Sequence, residues 1–403
     1  MSRNVNGSDS DSGGALRAAV IGGGVAGTAG AIALRRRTGA EVTVYEAYED
    51  PAGPVGSFLS LAVNGLRVLE ELGLLAQVQA AGFPVPDQCL WSASGKLLGR
   101  VPRGRPASEA LHSTTLRRSR LVEVLRAEAL RAGVRIETGR RMTADSVDAD
   151  LVVAADGLWS ATRAALDPGA PHPEYAGLYS VSGRVGGSRS PALPTGRALP
   201  TGDALPTGDA FHMMVARKGA FAWIPAPDGT IWWSAQVASP QPPDLAEVDL
   251  PLLRELYATS GAPAALLAAA TGFERPTLMH KLAEVPVWHD ARTVLIGDAA
   301  HPVGAGQGAS MALEDAAALA DCVASAPSIA SALTAYDRLR RSRVTRMAKA
   351  AAANRGAKTP GPLQRRANDL LMPFFFRYAY PRATSWLYTQ APYGPGGSGS
   401  AGA

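Results

Sequence analysis

The sequence predicts an α/β protein in which a mostly parallel sheet is interrupted by an inserted, mostly antiparallel one. Three observations lead there. A strand–helix–strand pattern occupies residues 17–46, segments rich in aromatic and β-branched residues fill 175–237 with few helices among them, and α/β texture returns at 292–324. Because that texture resumes after the insertion, the first domain is discontinuous.

Taken in order, residues 1–14 carry small polar and acidic side chains around no apolar core and read as a disordered tail without a secretory signal. Arg17 to Gly22 is a short apolar strand, Val25 to Thr38 has helical periodicity closed by Arg35, Arg36, Arg37 and a Gly39 stop, and Glu41 to Glu46 alternates as a second strand. Helical pattern returns over Gly65 to Ala81 and Ser119 to Ala132, with strand-like segments at Val134 to Glu137 and Leu151 to Ala155. In the insertion, Ala210 to Val215 and Thr230 to Val237 are the clearest strands. A six-residue repeat, LPTGRA, LPTGDA, LPTGDA, starts at Leu193, Leu199 and Leu205. Three copies are too few to stack as a solenoid, so they read as an expanded surface loop, with a lid over a substrate as the functional alternative. The pattern divides the chain into a discontinuous domain (15–80, 103–174 and 280–350), an inserted domain (81–102 and 175–279, with the repeat loop at 186–210), a helical segment (351–392) and a flexible tail (393–403).

Composition excludes several classes. With 403 residues and 46% hydrophobic content the chain buries a large core unaided, and its two cysteines, Cys89 and Cys322, show no metal-ligand spacing, which fits a reducing, cytoplasmic compartment and no metal centre. The charge-free run Ala18 to Leu34 is too short for a membrane span and holds five glycines. The net charge of +5 is modest. Its densest basic stretch, Arg338, Arg340, Arg341, Arg343 and Arg346, alternates with Leu339, Val344 and Met347 and reads as a solvated helix face, so no nucleic-acid partner is expected. Nothing in the sequence selects an oligomeric state.

The chemistry lies in two motifs. Gly22-Gly23-Gly24-Val25-Ala26-Gly27 matches G-x-G-x-x-G at a strand-to-helix turn. Gly22 permits the turn, Gly24 lets a pyrophosphate approach the backbone, Gly27 lets helix pack on strand, and the helix start offers unpaired N–H groups to phosphate through Val25 and Ala26. Glu46, ending the second strand, is placed to accept hydrogen bonds from an adenosine ribose. NAD and FAD satisfy this motif equally. The second motif separates them: Thr293 to Pro302 reads as a buried strand running into a Gly297-Asp298 turn, then a glycine-rich loop with Gly304, Gly306 and Gly308, then a helix from Ala309 to about Ala324. An acid there can hold a polyol hydroxyl, and the helix start can face a group that becomes anionic; FAD has a ribityl chain and a flavin ring that is anionic when reduced, and NAD has neither.

On these residues the chain resembles the class A FAD-dependent monooxygenases, the family of para-hydroxybenzoate hydroxylase and salicylate hydroxylase. Besides the two motifs, the resemblance rests on Arg118-Ser119-Arg120-Leu121, on Asp156-Gly157 with Ser160 and Arg163, on Glu314-Asp315, and more weakly on Asn64-Gly65-Leu66-Arg67, Leu72-Gly73, Tyr336 and Trp386-Leu387-Tyr388. It implies a Rossmann-like FAD-binding domain with an inserted substrate sheet and a C-terminal helical segment. It also implies FAD contacts at Arg118 (pyrophosphate), Asp156 (near both FAD and the nicotinamide cofactor), Asp298 (ribityl chain), Gly306, Gly308 and Ala309. The plain readings of Arg118 as a surface arginine and of Asp156 as a capping residue stay open beside these. The loop after His301-Pro302 is about two residues shorter than the family pattern, and His301 reads as a structural residue of that loop. No second G-x-G-x-x-G follows a strand, which fits NADH or NADPH as a transient co-substrate.

The resemblance further implies that NAD(P)H reduces FAD, that O2 adds at flavin C4a to give a hydroperoxide, and that an oxygen atom passes to a small hydrophobic, aromatic substrate by hydroxylation or epoxidation. In the insertion, Phe221, Trp223, Trp232 and Trp233 are candidate walls for such a substrate and Arg184, His212, Tyr175 and Tyr179 candidate polar contacts, with nothing to choose among them and no catalytic base singled out. Two other readings compete. Phe221-Ala222-Trp223-Ile224-Pro225 partly resembles a flavin-dependent halogenase motif, and Pro373-Phe374-Phe375-Phe376 suggests a non-catalytic flavin-holding interaction protein, or a helix packed onto the body or a neighbouring subunit.

Overall fold

The computed structural model describes residues 15–50, 57–186, 209–302, 307–356 and 362–389. The repeat from Leu193, Gly306, both chain termini and most of the loop after Pro302 therefore lie outside the described residues.

Five parallel strands form the first sheet, in the spatial order Thr293–Leu295, Leu151–Ala154, Arg17–Ile21, Glu41–Tyr45 and Arg135–Glu137. The central strands are nearly all Val, Ile, Leu and Ala and are buried on both faces, as a parallel sheet covered by helices requires. The helix Val25–Thr38 packs against the helices Arg118–Arg131 and Gly308–Ser325. The strand–helix–strand expectation agrees with the structure to within a residue. The helix expected over Gly65 to Ala81 does not: it is two, Val63–Glu71 and Leu75–Ala80, broken where Gly73 turns at φ 60°. Apolar spacing continued across that break because both pieces face one core.

The second sheet has seven strands in the order Thr277–Lys281, Glu174–Val185, Ile231–Ala238, Gly219–Pro225, Phe211–Ala216, Asp87–Trp91 and Leu97–Pro102. All neighbours are antiparallel except Phe211–Ala216 with Asp87–Trp91. Its far face carries Phe221, Trp223, Trp233, Val237 and Tyr179 and is covered by the helices Leu250–Tyr257 and Gly261–Ala269, making a second core. A three-stranded sheet, Phe58–Leu61, Ser113–Arg117 and Phe83–Val85, joins the two halves.

The long helix Ile329–Gly356 runs on from Gly308–Ser325, and a C-terminal segment (Pro362–Phe374, then short turns to Leu387) folds back over the second sheet. Phe376 packs on Leu98 and Val101, so this part of the aromatic run seals the body, while Phe374 is exposed.

The arginine run is not a solvated face. Only Arg338 and Arg346 are open. Arg340 is fully buried against Glu314 and Asp315, Arg341 pairs with Asp337, and Arg343 grips Glu314 and the carbonyls of Trp386 and Leu387, while Arg346 lies over the Trp386 ring at 3.8 Å. Apart from Asp337, one helical turn from Arg341, these partners lie 25 or more residues away in the chain, so local alternation could not reveal them.

Candidate active site

The first motif forms a tight junction between strand, helix and the neighbouring strand Leu151–Ala154. Gly22 sits at φ 103°, and a Cβ there would stand 2.3 Å from the Ala155 carbonyl oxygen; one at Gly27 would stand 1.9 Å from the Gly22 oxygen. Only glycine fits either place. At Gly24, the residue preceding the helix, a Cβ would meet nothing closer than Arg118 Nη2 at 3.7 Å, so Arg118, first residue of its own helix, reaches the same helix start that Val25 and Ala26 open. Glu46 is buried and already engaged: Oε2 accepts from the Gly23 N–H at 2.7 Å and Oε1 from that of Tyr48 at 2.9 Å. It shapes the phosphate turn, a role that spacing alone did not suggest.

Asp156 Oδ2 accepts from the N–H and hydroxyl of Thr162, as a capping carboxylate does, while its Oδ1 is buried without a partner among the described residues. Arg163, buried, donates to the carbonyls of Leu158 and Ala299 and so ties this element to the second motif. There Gly297 to Ala299 form a helical turn whose Gly297 N–H donates to Asp315 at 2.8 Å. Asp298 points outward and remains open to solvent; the protein around it pushes its carboxyl pKa up, a pressure that solvent contact weakens. Gly308 and Ala309 begin the 18-residue helix, preceded by Gln307, whose Oε1 is buried without a partner among the described residues. His301 is buried with Nε2 2.6 Å from Asp315 Oδ2 and is structural, as expected.

A cavity of about 610 Å³ opens beside this motif and reaches Gln307. One wall is Met213, Val215, Ala220, Ala222, Ser234 and Gln236 from the seven-stranded sheet; others come from Phe58 to Ser60 and from Met372, Phe375, Phe376, Tyr380 and Tyr388 of the C-terminal segment. Successive strand residues point to opposite faces, and here Phe211, Met213 and Val215, with Ala220, Ala222, Ser234 and Gln236, face the cavity. His212 and Trp223 are thereby placed on the far face and cannot touch a substrate in this cavity. Trp232 packs on Phe58 and Phe83, with ring centroids 5.7 and 5.3 Å away, and Arg184, exposed, faces Asp228 and Glu274; neither lines the cavity. Alternation identifies the strands but not which face receives the aromatics, and the covering helices claimed them. Sequence reasoning did not single out Gln307 or, apart from Tyr388 as part of the family resemblance, the polar cluster of Ser60, Gln88, Arg103, Tyr380 and Tyr388 at one end of the cavity.

His212 instead stacks on Trp223 at 4.9 Å and accepts the indole N–H of Trp91 at Nδ1, 3.2 Å away. Burial, with a smaller contribution from Arg100, lowers its pKa to about 4. A histidine held neutral stabilises the fold fully above its unfolded value near 6.5, and that contribution is lost as pH falls through about 4, about 3 kcal/mol in all. Wild type should therefore lose about that much more stability than His212→Leu between pH 6.5 and 4 by urea unfolding; parallel pH profiles would refute it.

The FAD binding domain family matches residues 15–351. The kynurenine 3-monooxygenase of Salinispora arenicola is 30% identical over 376 residues, spanning 84% of this chain and 79% of that one. The chain belongs to the class A FAD-dependent monooxygenase family. This monooxygenase is likewise 30% identical to the salicylate hydroxylase of Pseudomonas putida, over 82% of its own length and 83% of the relative's. Its fold is that of Klebsiella pneumoniae HpxO complexed with FAD and uric acid, with a TM-score of 0.75 at 23% identity, covering 94% of this chain and 97% of the other. FAD is the cofactor, NAD(P)H the reductant, and the monooxygenase is an enzyme rather than an interaction module. The halogenase reading fails on its own residues, because Phe221 and Trp223 are fully buried under the sheet. No helix among the described residues is long and apolar enough to cross a membrane.

Proposed function

We propose that this monooxygenase hydroxylates a small aromatic molecule held in the 610 Å³ cavity. The observation that carries the reading is that the cavity, walled largely by small and apolar side chains, reaches Gln307, at the start of the helix Gly308–Ser325 that follows the Asp298 motif in the chain. Substrate and flavin sites thus meet at one point. The relatives named for kynurenine and salicylate are consistent with an aromatic ring of this size.

The residues present fit FAD: space for phosphate at Gly24 and partnerless buried oxygens on Asp156 and Gln307. We assign Gly22, Gly24, Val25, Ala26, Gly27 and Arg118 to the pyrophosphate, where a guanidinium fork suits two phosphates. Glu46 would receive the ribose, accepting through the lone pairs its two backbone bonds leave over. Asp298 would hold the ribityl chain, Asp156 would face the cofactor edge, and Gly306, Gly308 and Ala309 would meet the flavin ring. Bound there, FAD supplies the reductive activation of O2. The chain's own contribution is to orient the ring, to exclude water by closing the C-terminal segment over the cavity, and to offset negative charge with the N–H groups at the helix start. The discontinuous and inserted domains carry cofactor and substrate respectively. Two free cysteines support a cytoplasmic location.

The purified protein should be yellow, and aromatic substrates should accelerate its oxidation of NADH or NADPH, with oxygen from 18O2 entering the product. A colourless protein that takes up no FAD overturns the proposal. Asp298→Ala should weaken FAD binding about tenfold or more, the loss of one charge-assisted hydrogen bond, measured by flavin fluorescence; unchanged affinity removes the role given to Asp298.

A further inference from the structure

Half of this chain's eight methionines converge on one place. Met213 and Met279 come from the seven-stranded sheet, Met347 from the helix Ile329–Gly356 and Met372 from the helix Pro362–Phe374, and all four line the cavity that reaches Gln307. Met347 is buried, whereas Met213, Met279 and Met372 are half-buried. The other described methionines lie elsewhere. Met214 follows Met213 on the same strand and therefore points into the second core, Met311 is fully buried beside Arg340, and Met142 is half-buried on the cluster of Ala19, Ile21 and Val152 at the parallel sheet. Neither Cys89 nor Cys322 lines the cavity, so the thioethers are its softest and most readily oxidised groups.

We infer that the cavity wall is itself oxygenated when no substrate fills it, with Met213, Met279 and Met372 converted to methionine sulfoxide. The inference rests on the reading of the cavity as the place where substrate and flavin meet. A thioether sulfur offers a lone pair to an electrophilic oxygen, as an electron-rich ring does, so it takes the substrate's place in the same stoichiometry. Thioether, O2, NAD(P)H and a proton give sulfoxide, water and NAD(P)+. The O–O bond breaks as the S–O bond forms, and sulfur and NAD(P)H each give up two electrons, which together reduce one oxygen atom into the sulfoxide and the other to water. Confinement favours the wall over the solvent: one oxidising molecule in 610 Å³ corresponds to about 3 M, far above anything reached after escape into bulk. The C-terminal segment, which covers the cavity with Met372, Phe375 and Phe376, slows that escape. The product alters the site, because a sulfoxide puts a polar group into an apolar wall where a flexible thioether stood, and a hydrophobic ring then binds less well. Turnover without substrate is thereby self-limiting.

The test cycles the FAD-loaded protein with NADH or NADPH under 18O2, with catalase present and no aromatic compound added, and measures the masses of its peptides. If neither nucleotide reduces the flavin, dithionite does so before 18O2 is admitted, and the thioethers are tested all the same. One 18O atom is expected in one or more of Met213, Met279 and Met372, at a level at least about tenfold above that in Met142, Met214 and Met311. Met142 is the critical control, since it is half-buried like Met213 and reports attack from bulk solvent. Label that catalase removes, label as high in Met142 as in the cavity, or no label above an anaerobic control overturns the inference. When NAD(P)H is consumed and peroxide released without labelled sulfoxide, this inference alone fails and the monooxygenase reading stands; a protein that takes up no FAD overturns both. Met213→Leu, Met279→Leu and Met372→Leu together, swaps of similar volume, should keep a larger fraction of their own initial rate than wild type after equal turnovers. An equal decline would overturn the self-limiting consequence, and the wild-type label decides the modification even if that variant does not fold.

Discussion

Replacing Arg340 by leucine is expected to destabilise the protein by about 3–5 kcal/mol at neutral pH, the cost of breaking a buried charge pair by removing one partner. The guanidinium is fully buried, with Nη1 2.7 Å from Glu314 Oε2 and Nε 2.7 Å from Asp315 Oδ1. Both carboxylates are themselves fully buried, so neither could recover water when Arg340 is lost. Glu314 would keep Arg343 and Asn64; Asp315 would keep His301 and the Gly297 N–H. Burial opposes the charge on Asp315, yet His301 and Arg340 hold its carboxyl down to about 2. A depressed carboxylate stabilises the fold above its unfolded pKa, and that stability is lost as pH falls through the folded value, here between about 4 and 2. Without Arg340 the folded pKa rises, and the acid limb of the stability curve moves to higher pH. Urea unfolding across pH 3–7 measures both effects. A loss below about 1 kcal/mol would mean that the network is dispensable. The site should suffer as well, because the Asp315 carboxylate that Arg340 grips also fixes the Gly297 N–H, next to Asp298.

Adding one methyl group at two glycines of the glycine-rich turn should weaken FAD binding in both, but destabilise the fold in only one. In Gly27→Ala the new carbon would lie 1.9 Å from a backbone oxygen and 3.1 Å from Ala155 Cβ, neither of which can swing away. The expected destabilisation is at or beyond the upper end of the roughly 1–3 kcal/mol typical of overpacking, with FAD lost as a consequence. In Gly24→Ala the nearest atom is the end of the flexible Arg118 side chain at 3.7 Å, so the apoprotein should melt within about 1 kcal/mol of wild type. FAD affinity should nevertheless fall at least about tenfold, because the methyl occupies the space through which a pyrophosphate approaches the backbone. Thermal melts of the apoproteins with FAD titrations separate the two. Full FAD affinity in Gly24→Ala would remove the turn from the cofactor site.

These expectations differ in how visible they were in the sequence. The turn was legible because its causes are local: glycine where a Cβ would clash, an apolar strand before it, a helix after it. The helix Val25–Thr38 begins and ends where the spacing put it. The strands of the inserted sheet were legible for the same reason, since alternation is a property of neighbouring residues. Their orientation was not. His212 and Trp223 against Met213 and Ala222 is a one-residue difference in register, and what decides it is which side the helices Leu250–Tyr257 and Gly261–Ala269 come to cover. Gly73 split an expected helix because continuous apolar spacing marks a shared core without marking a break.

By itself, then, the sequence determined the glycine-rich turn, the strand, turn and helix around Asp298 and the α/β framework, all of which follow from spacing within a few turns of chain. Only the tertiary structure decided the substrate side. It buried Arg340 between Glu314 and Asp315, 25 and more residues away in the chain, and it brought Gln88, on the strand next to the sheet's edge, to Tyr380, nearly 300 residues on. Local periodicity carries no information about such encounters, because burial and charge pairing depend on which surfaces meet, and those surfaces exist only once the chain has folded.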